Sequence, residues 1–395
     1  MSCLGIAALV ICGCAPPTAD TTAHDGEPPA DDAAEEQRVI YVDAAGYCDG
    51  REPCHATLWN ATLDSLSSQF ADAWTPLRPD APPDLIVVMP GEYRPITPSG
   101  APLVIGLVGE MDSASRWKLE MVSEQGPEST IIAGHGAAPC IVLTGRLTFT
   151  LKGFTLTDCA TINSSFVDEY YALYISAFRS ADITIAGNIF RDNPAMDGAI
   201  AVRPWVVNVS DLNIAIEANR FYGNRGGIVL DGFPYSVEPA YSASVLIANN
   251  LVYDNLSSTD SLSAGTLHIS NSTRAEQNVS IDIVHNTIAH NGALGLFLVQ
   301  TSGIRVRNNI VFGNTTDIRD EYAADSIDHN LIGDPLFVDA GVGDFSLALG
   351  SPAIDAGVVL SIPALTTDFA INPRVVDGDA NGVATPDIGA LEYVP

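Results

Sequence analysis

The sequence predicts an all-β protein whose body is a parallel β-helix, with three short strands in each coil. Two observations lead to this prediction. A six-residue motif returns at intervals of 21 to 36 residues through the middle of the chain, and apolar residues keep fixed positions relative to it. Periods of this length are typical of stacked supersecondary units. Because parallel crossover connections are right-handed in nearly all proteins, we expect a right-handed helix.

The repeated motif has the form Asn-x-apolar-x-x-Asn. Its complete copies begin at Asn188, Asn219, Asn250, Asn286 and Asn309. A copy beginning at Asn330 lacks the last Asn, and an earlier degenerate copy ends at Cys159. We expect the first Asn to lie where one strand bends into the next, so that its amide hydrogen-bonds to the same amide in the next coil.

Apolar side chains keep register with the motif on three successive strands. In the copy beginning at Asn188, Ile183 and Ile185 precede the bend and Phe190 follows it. A third strand, such as Ala199 to Val202, comes next. Spacing by two places these side chains on one face of each strand. One coil cannot bury that face alone, so stacking should form a continuous column of Ile, Val, Leu and Phe.

The N-terminal residues predict export. An apolar run from Leu4 to Ile11 is too short to span a bilayer, and it leads to Cys14 in a sequence resembling a bacterial lipobox. On this interpretation residues 1–14 are a lipoprotein-type signal, Cys14 is lipidated, and 15–37 form a disordered acidic tether. An ordinary secretory signal is the alternative. Either way we expect a secreted protein or an outer-membrane or cell-surface lipoprotein, with the membrane contacted only through the lipid.

The charge and the cysteine content limit the possible binding partners and the cellular compartment. The formal net charge is −30 and the chain has 18 Lys and Arg residues, which disfavours nucleic acid as a partner. Four cysteines follow the signal region, an even number that suggests two disulfides in an exported protein. Cys48 with Cys54 would close a small loop. Cys140 with Cys159 would join two coils.

The chain from about 38 to 395 resembles the right-handed β-helix repeat proteins of the pectin-lyase-like superfamily. Ile40 to Asp43 and Leu85 to Tyr93 resemble the opening of such proteins, and 336–395 resembles the C-terminal (choice-of-anchor type) module of bacterial surface proteins. The resemblance implies an N-terminal segment 38–135, repeats 136–335 and a capping module 336–395. A short helix within 58–73, with Leu63, Leu66 and Phe70 on one face, should cap the column.

The superfamily contains both polysaccharide-degrading enzymes and non-catalytic adhesins, so the fold does not select a function. The enzyme fingerprints do not carry over to this sequence. Gly134-His135-Gly136 has the letters of a polygalacturonase motif but lacks its partner motifs, and we interpret it as a structural turn.

One segment near the C-terminus has the residues of a calcium loop. Asp377, Asp379 and Asn381 stand at positions 1, 3 and 5 of an EF-hand-like pattern, with a Gly at position 6 and Asp387 five residues beyond it. Oxygen ligands of this kind suit Ca²⁺. The alternative is an Asx-rich turn exposed to solvent.

The outward face of the third strands is the second candidate site. If Ile and Leu point inward there, six side chains point outward: Tyr174, Arg203, Asp231, His268, Ser270 and Gln300. Asp231 or His268 would be the base of an enzyme, Arg203 would hold a carboxylate, and Tyr174 would stack on a sugar ring. The alternative is an ordinary mixed surface with a weak ion pair between Arg203 and Asp231.

These observations favour an exported, surface-anchored monomer that binds extracellular glycan or a neighbouring surface without catalysis. The competing hypothesis is an enzyme, either a calcium-assisted polysaccharide lyase or a glycoside hydrolase. A hydrolase would need two carboxyl groups about 5 to 10 Å apart in a groove. A cleft with convergent carboxylates beside Arg203 would favour the enzyme, and a flat uncovered face would favour binding.

Overall fold

The computed structural model describes fifteen segments of the chain, and the statements below concern these alone. They are residues 37–69, 82–97, 102–107, 117–136, 139–159, 171–176, 180–194, 198–203, 211–231, 242–256, 265–271, 278–301, 303–321, 324–363 and 365–395. Regular structure is almost entirely β-strand, apart from the helix Leu58–Gln69 and two single 3₁₀ turns, Cys48–Gly50 and Ala340–Val342.

Three parallel sheets run side by side through the described coils, and each coil contributes one strand to each sheet. The first sheet consists, in order, of Cys54–His55, Val39–Val42, Asp84–Val88, Trp117–Ser123, Leu147–Lys152, Ala181–Ala186, Asp211–Glu217, Ser242–Ala248, Asn278–Val284, Ile304–Arg307 and Ser326–Asp328. The second consists of Gly91–Tyr93, Thr130–Ala133, Thr155–Thr157, Ile189–Arg191, Arg220–Tyr222, Leu251–Tyr253, Thr287–Ala289 and Ile310–Phe312. The third consists of Leu103–Leu107, Ile141–Gly145, Tyr171–Ser176, Gly198–Val202, Ile228–Leu230, Gly265–Asn271, Leu294–Thr301 and Thr316–Asp320. This is the β-helix with three strands per coil that the repeat predicts.

The interior is the predicted apolar column. Ile183 pairs with Ile214, which pairs with Val245 in the next coil, and all three side chains are buried. Phe190 and Phe221 stack with ring centroids 4.9 Å apart at an interplanar angle of 8°. The two-residue strand period and the position of the motif therefore predict the strand register correctly.

Both Asn residues of the motif form hydrogen-bonded ladders. Asn219 Nδ2 donates to Asn250 Oδ1 at 3.1 Å, and the same acceptor takes the backbone N–H of Asn219 at 3.0 Å. The last Asn of the motif forms a second ladder, in which Asn224 Nδ2 donates to Asn255 Oδ1 at 3.0 Å. Each buried amide thus satisfies backbone groups at a bend, which explains why no other residue type replaces Asn in the complete copies.

The residue before each Asn of the first ladder has a left-handed backbone. Ala218 has φ 51°, Asn249 has φ 55° and His285 has φ 52°. This conformation turns the chain sharply from the first sheet into the second. The outward side chains at these bends therefore form a column of their own beside the ladder.

The helix Leu58–Gln69 covers the N-terminal end of the column, as predicted. Its packed face differs from the predicted one: Leu58, Ala61 and Leu66 join the core, while Leu63 is only half-buried. Phe70 lies outside the described residues. The first turn of the helix packs against the strands, so the packed face contains Leu58 and Ala61.

Disulfides join Cys48 to Cys54 and Cys140 to Cys159. The backbone N–H of Cys159 donates to Asn193 Oδ1 at 3.0 Å, which places this cysteine at the foot of the second ladder. The second disulfide therefore fixes the point where that ladder begins. Among the residues that the structure describes, no helix combines the length and apolar character needed to cross a membrane.

The C-terminal module packs along the outer side of the later coils of the second sheet. It contains one antiparallel pair, Phe337–Asp339 with Asp344–Leu347. Its buried residues Phe345 and Ala390 contact Leu251 and Ala289 of the second sheet. The prediction of a capping module thus needs one refinement: this segment covers a side of the helix, because the outward residues of these second-sheet strands are apolar.

Candidate functional site

The outward face of the third sheet brings the predicted residues together in the expected register. Val202 pairs with Leu230, and Leu230 pairs with Ile269, so the residues that follow each of them lie in adjacent coils. These are Arg203, Asp231 and Ser270. One column before them on the same face stand Tyr174, Ala201, Val229, His268 and Phe297.

Arg203 and Asp231 form a direct ion pair. Arg203 Nε donates to Asp231 Oδ1 at 2.6 Å, and the two side chains are 28% and 26% exposed. The guanidinium also lies 5.2 Å from the centroid of the Tyr171 ring. Arg203 is therefore held by a carboxylate and an aromatic face belonging to the protein itself.

His268 is buried on this face, with 7% of its surface exposed. Its ring stacks on Phe297 at a centroid distance of 5.1 Å. Burial lowers the pKa of His268, and the attraction of the nearby Asp231 carboxylate opposes that shift only in part. The imidazole is consequently neutral at neutral pH and is covered by protein.

Sequence reasoning missed two charged residues of this face. Arg319 lies over the Phe297 ring at 5.0 Å and forms an ion pair with Glu321. Arg319 belongs to the strand after the last complete motif and Glu321 follows directly after that strand, where the missing repeat signal left both unassigned. Their register could have been found by continuing the third-strand column one coil further, since Phe297 pairs with Arg319.

Tyr174 requires a correction. It points away from the core, as predicted, but only 8% of its surface is exposed. It belongs to a small apolar cluster on the outside of the sheet, together with Val142, Tyr171, Ala201 and Val229. The outward column is apolar in these coils and packs within the protein, so the Tyr174 ring offers no open face for a sugar.

The remaining two residues of the predicted set have different outcomes. Ser270 is half-buried in the coil after Asp231. Gln300 belongs to the strand Leu294–Thr301, but its side chain lies outside the described part of the structure. The described face is therefore a rim of two ion pairs around a buried aromatic centre. It can donate and accept hydrogen bonds through Arg203, Asp231, Arg319 and Glu321.

The predicted calcium loop gathers three carboxylates. Oxygen atoms of Asp355, Asp377 and Asp379 lie within 4.8 Å of one another. The loop is ordered by its own side chains: Gly382 N donates to Asp377 Oδ2 at 2.9 Å and Asn381 N to Asp379 Oδ1 at 3.0 Å. Asn381 Oδ1 accepts the N–H of Val383 at 2.8 Å. Three carboxylates at this separation suit a hard cation such as Ca²⁺.

Asp387 does not belong to that cluster, which corrects the predicted ligand set. It is buried, and its two oxygens accept the N–H groups of Asp355 at 2.7 Å and Tyr393 at 2.6 Å. Asp355 takes its place, because the chain returns to the loop from a segment 22 residues earlier than Asp377. Burial raises the pKa of Asp387, while the two amide donors oppose that shift.

Two predicted features remain: the structural turn at Gly134 and His135, and the lipidation site at Cys14. His135 has φ 50° in a turn, and a side chain at Gly134 would come within 2.6 Å of the Asp158 carbonyl oxygen. Close coil packing therefore accounts for both of these residues. Cys14 lies outside the described residues.

Two solved structures align with most of this chain at low sequence identity. The pectate lyase Pel9A aligns with 92% of this chain and 98% of its own, at a TM-score of 0.41 and 14% identity. The mannuronan C-5 epimerase AlgE6 A-module of Azotobacter vinelandii aligns with 70% of this chain and 94% of its own, at a TM-score of 0.27 and 12% identity. Among curated protein sequences, none matches the chain.

The family described as "Right handed beta helix region" matches residues 135–332. That segment contains all five complete motifs and the two Asn ladders. The match spans half of the sequence and coincides with the stacked coils seen in the structure. The chain therefore belongs to the right-handed β-helix family.

Proposed function

We propose that this protein is an exported β-helix that recognises extracellular glycan and does not cleave it. One observation carries the proposal. On the described outward columns of the third sheet, the two arginines are each paired with a carboxylate and the histidine is buried. Arg203 is bound by Asp231, Arg319 is bound by Glu321, and His268 is buried and neutral.

Cleavage of a polysaccharide requires groups that the described part of this face does not offer. A lyase needs a base beside the sugar and a free cation to neutralise its carboxylate. A hydrolase needs two carboxyl groups facing one bond. Arg203 would have to leave Asp231 to serve, and His268 would have to become exposed. Paired and partly exposed groups can still bind sugar hydroxyls, because a carboxylate accepts and a guanidinium donates several hydrogen bonds.

A screen of purified neutral and uronic-acid polysaccharides tests this proposal with two readouts on the same samples. We expect binding of at least one polysaccharide in a pull-down, with no new reducing or unsaturated ends after prolonged incubation. The binding should weaken in an Arg203→Gln and Arg319→Gln double variant, while Arg305→Gln on the first sheet serves as the control. New chain ends that require Asp231 or His268 would favour a lyase or hydrolase instead.

Surface anchoring is part of the proposal and rests on the sequence around Cys14. A lipid at this residue, followed by the acidic tether, would place the β-helix outside the membrane. Cys14→Ser should release the protein from the membrane fraction or leave the signal uncleaved. Unchanged membrane retention, with no lipid mass on the N-terminal peptide, would contradict the anchor.

We also propose that Asp355, Asp377 and Asp379 bind Ca²⁺ with the weak affinity of extracellular modules. Support comes from the convergence of the three carboxylates and from the ordered backbone of the loop. The ion would offset repulsion between these charges and connect the segment around Asp355 to the loop that contains Asp377 and Asp379. Calcium would thus stabilise the C-terminal module.

A further inference from the structure

A cleft of about 450 Å³ opens between the C-terminal module and the bends of the earlier coils. Its coil side is formed where the first sheet turns into the second, by residues such as Gly187 and Ala218. Its other side is the segment from Thr367 to Ile371. The volume is within the range of about 300 to 1,000 Å³ typical of small-molecule sites. The cleft lies on a different side of the helix from the third-sheet face.

The floor of the cleft lies where a small residue interrupts a column of longer outward side chains. Lys152 pairs with Ala186, and Ala186 pairs with Glu217 in the following coil. The two charged residues are therefore two strand spacings apart, roughly 9.6 Å. Because the residue between them is alanine, the space above it is open, and both charged side chains line it.

Five charged residues line the cleft: Glu128, Lys152, Glu217, Arg220 and Asp368. Asp368 is buried and accepts hydrogen bonds from Asn372 and from the backbone N–H of Glu392, which leaves the other four. Within the described segments none of them forms an ion pair or a side-chain hydrogen bond. This is unusual for the molecule, since eight described arginines are bound to carboxylates. Arg220 instead lies over the ring of Phe369, at 5.2 Å from the centroid. Glu128 and Lys152 are exposed and can be hydrated, whereas Glu217 and Arg220 are half-buried without an opposite charge.

Glu217 is the most unusual of the four. It is half-buried, and burial alone raises the pKa of its carboxyl group, with no hydrogen bond or positive charge to offset the shift. A carboxyl group in such surroundings destabilises the folded state when it is ionised. Uncompensated groups of this kind in clefts are characteristic of functional sites.

The lip of the cleft is apolar and held in a strained conformation. Ile371 is 81% exposed and has φ 70°, a left-handed backbone that β-branched residues rarely adopt. The hairpin that carries it is fixed by Asn249 Nδ2, which donates to the Thr367 carbonyl at 2.9 Å, and by Asn372 N, which donates to Asp368 Oδ1 at 2.7 Å. Phe369 and Ile371 therefore present a rigid apolar edge over the charged floor.

We propose that this cleft binds an uncharged saccharide of one or two rings. The earlier coils contribute one carboxyl group and one cation, Glu128 and Lys152, and the later coil contributes Glu217 and Arg220. These four unpaired groups sum to no net charge, and the fifth charged residue, Asp368, is already hydrogen-bonded within the module. The open groups therefore match a ligand that offers hydroxyl donors and acceptors without a charge of its own. The apolar lip would pack on the C–H face of a sugar ring. An acidic sugar would face two carboxyl groups within a protein of net charge −30.

Isothermal titration of the whole protein with glucose, galactose, mannose, cellobiose, maltose and lactose tests the proposal. We expect at least one of them to bind, and glucuronate and galacturonate to bind at least tenfold more weakly. Glu217→Gln, which keeps the shape of the side chain, should weaken the binding at least tenfold. Ala186→Leu, which fills the gap between Lys152 and Glu217, should abolish it.

Glu120→Gln is the matched control, because Glu120 also projects from the first sheet, is half-buried and does not line the cleft. It should bind as the wild type does. Equal affinity of the Glu217→Gln variant, preference for the acidic sugars, or no binding of any neutral sugar would each overturn the proposal. The site does not depend on the third-sheet face: polysaccharide binding that is lost only in the Arg203 and Arg319 double variant would support the proposed function without supporting this cleft.

Discussion

The charged side chains discussed above are paired on the third-sheet face and unpaired in the cleft beside the C-terminal module. On the face, Arg203 is bound to Asp231 and Arg319 to Glu321, around a buried aromatic centre. In the cleft, Glu217 and Arg220 lie three residues apart and neither is paired with a carboxylate or a cation of the described chain. Paired charges of this kind neutralise each other within the fold and keep further donors and acceptors for sugar hydroxyls. The half-buried Glu217 carboxyl group has no such partner, and a ligand bound in the cleft would supply one.

The largest expected effect comes from weakening the attachment of the C-terminal module, which carries the lip of the cleft, to the coils. Arg374 is buried, and it donates to Glu392 Oε1 at 2.6 Å and to Asn249 Oδ1 at 2.5 Å, which joins the module to a bend of the coils. Arg374→Met should cost about 3 to 5 kcal/mol of unfolding free energy, because it leaves a buried carboxylate unpaired. Urea unfolding measures this cost.

The control for that substitution is Arg305→Met, which breaks the exposed pair with Asp282 and should cost about 0.2 to 1 kcal/mol. If both substitutions cost the same, the module is not held to the coils by the buried pair.

Lowering the pH should also weaken the contact between the C-terminal module and the coils, with a smaller loss of unfolding free energy. His285 is buried at a bend next to the module, and Asn308 Nδ2 donates to its Nε2 at 2.9 Å. Burial and the nearby Arg374 charge lower the pKa of His285 from 6.5 to about 3. Because the unfolded chain takes up this proton first, the stabilisation is complete above pH 6.5 and is lost as the pH falls toward 3.

Between pH 7 and pH 5 this residue should therefore reduce the unfolding free energy by about 2 kcal/mol. His285→Asn is the matched variant, since Asn249 and Asn308 occupy the same left-handed position in the neighbouring coils. The variant should lose about 2 kcal/mol less than the wild type over this range. Parallel pH profiles in urea would show that His285 does not carry the acid sensitivity.

The aspartate cluster is a third arrangement of charge, because its carboxylates form no ion pair within the described part of the chain. With a Kd of about 10⁻⁴ to 10⁻³ M, 1 mM Ca²⁺ should stabilise the protein by about 0.4 to 1.4 kcal/mol. Asp379→Ala and Asp355→Asn should each abolish the effect in a thermal melt. A calcium effect that survives Asp355→Asn would return the ligand set to the loop alone.

The smallest expected effect belongs to the face. Asp231→Asn should cost only about 0.2 to 1 kcal/mol, since the pair with Arg203 is partly exposed to solvent. Chemical denaturation of this variant measures the cost. A loss of several kcal/mol would mean that the pair is a buried structural element, and the proposal of a glycan contact at Arg203 would then lose its basis.

The coils could be predicted from the sequence, and the outer surfaces could not. Motif spacing and the two-residue period determine which side chains point inward, so the column through Ile183, Ile214 and Val245 is correct. The same period correctly aligned Arg203 with Asp231. It carries no information about what covers an outward side chain, which is why the burial of Tyr174 was not anticipated.

Contacts distant in sequence account for the other differences. Asp355 and not Asp387 belongs to the aspartate cluster because the module folds back on itself, which brings Asp355 to the loop and buries Asp387 away from it. The cleft depends on a contact between the bend at Asn249 and the segment around Thr367, which are 118 residues apart. No local pattern encodes such a contact.

Thermal unfolding of Glu217→Gln at pH 8 tests most directly whether unpaired charge marks a binding site. If Glu217 serves a ligand and not the fold, removing its uncompensated carboxylate should leave the melting temperature unchanged or raise it, because the half-buried charge no longer has to be accommodated. A melting temperature several degrees below that of the wild type would show that Glu217 stabilises the fold, and would contradict the account.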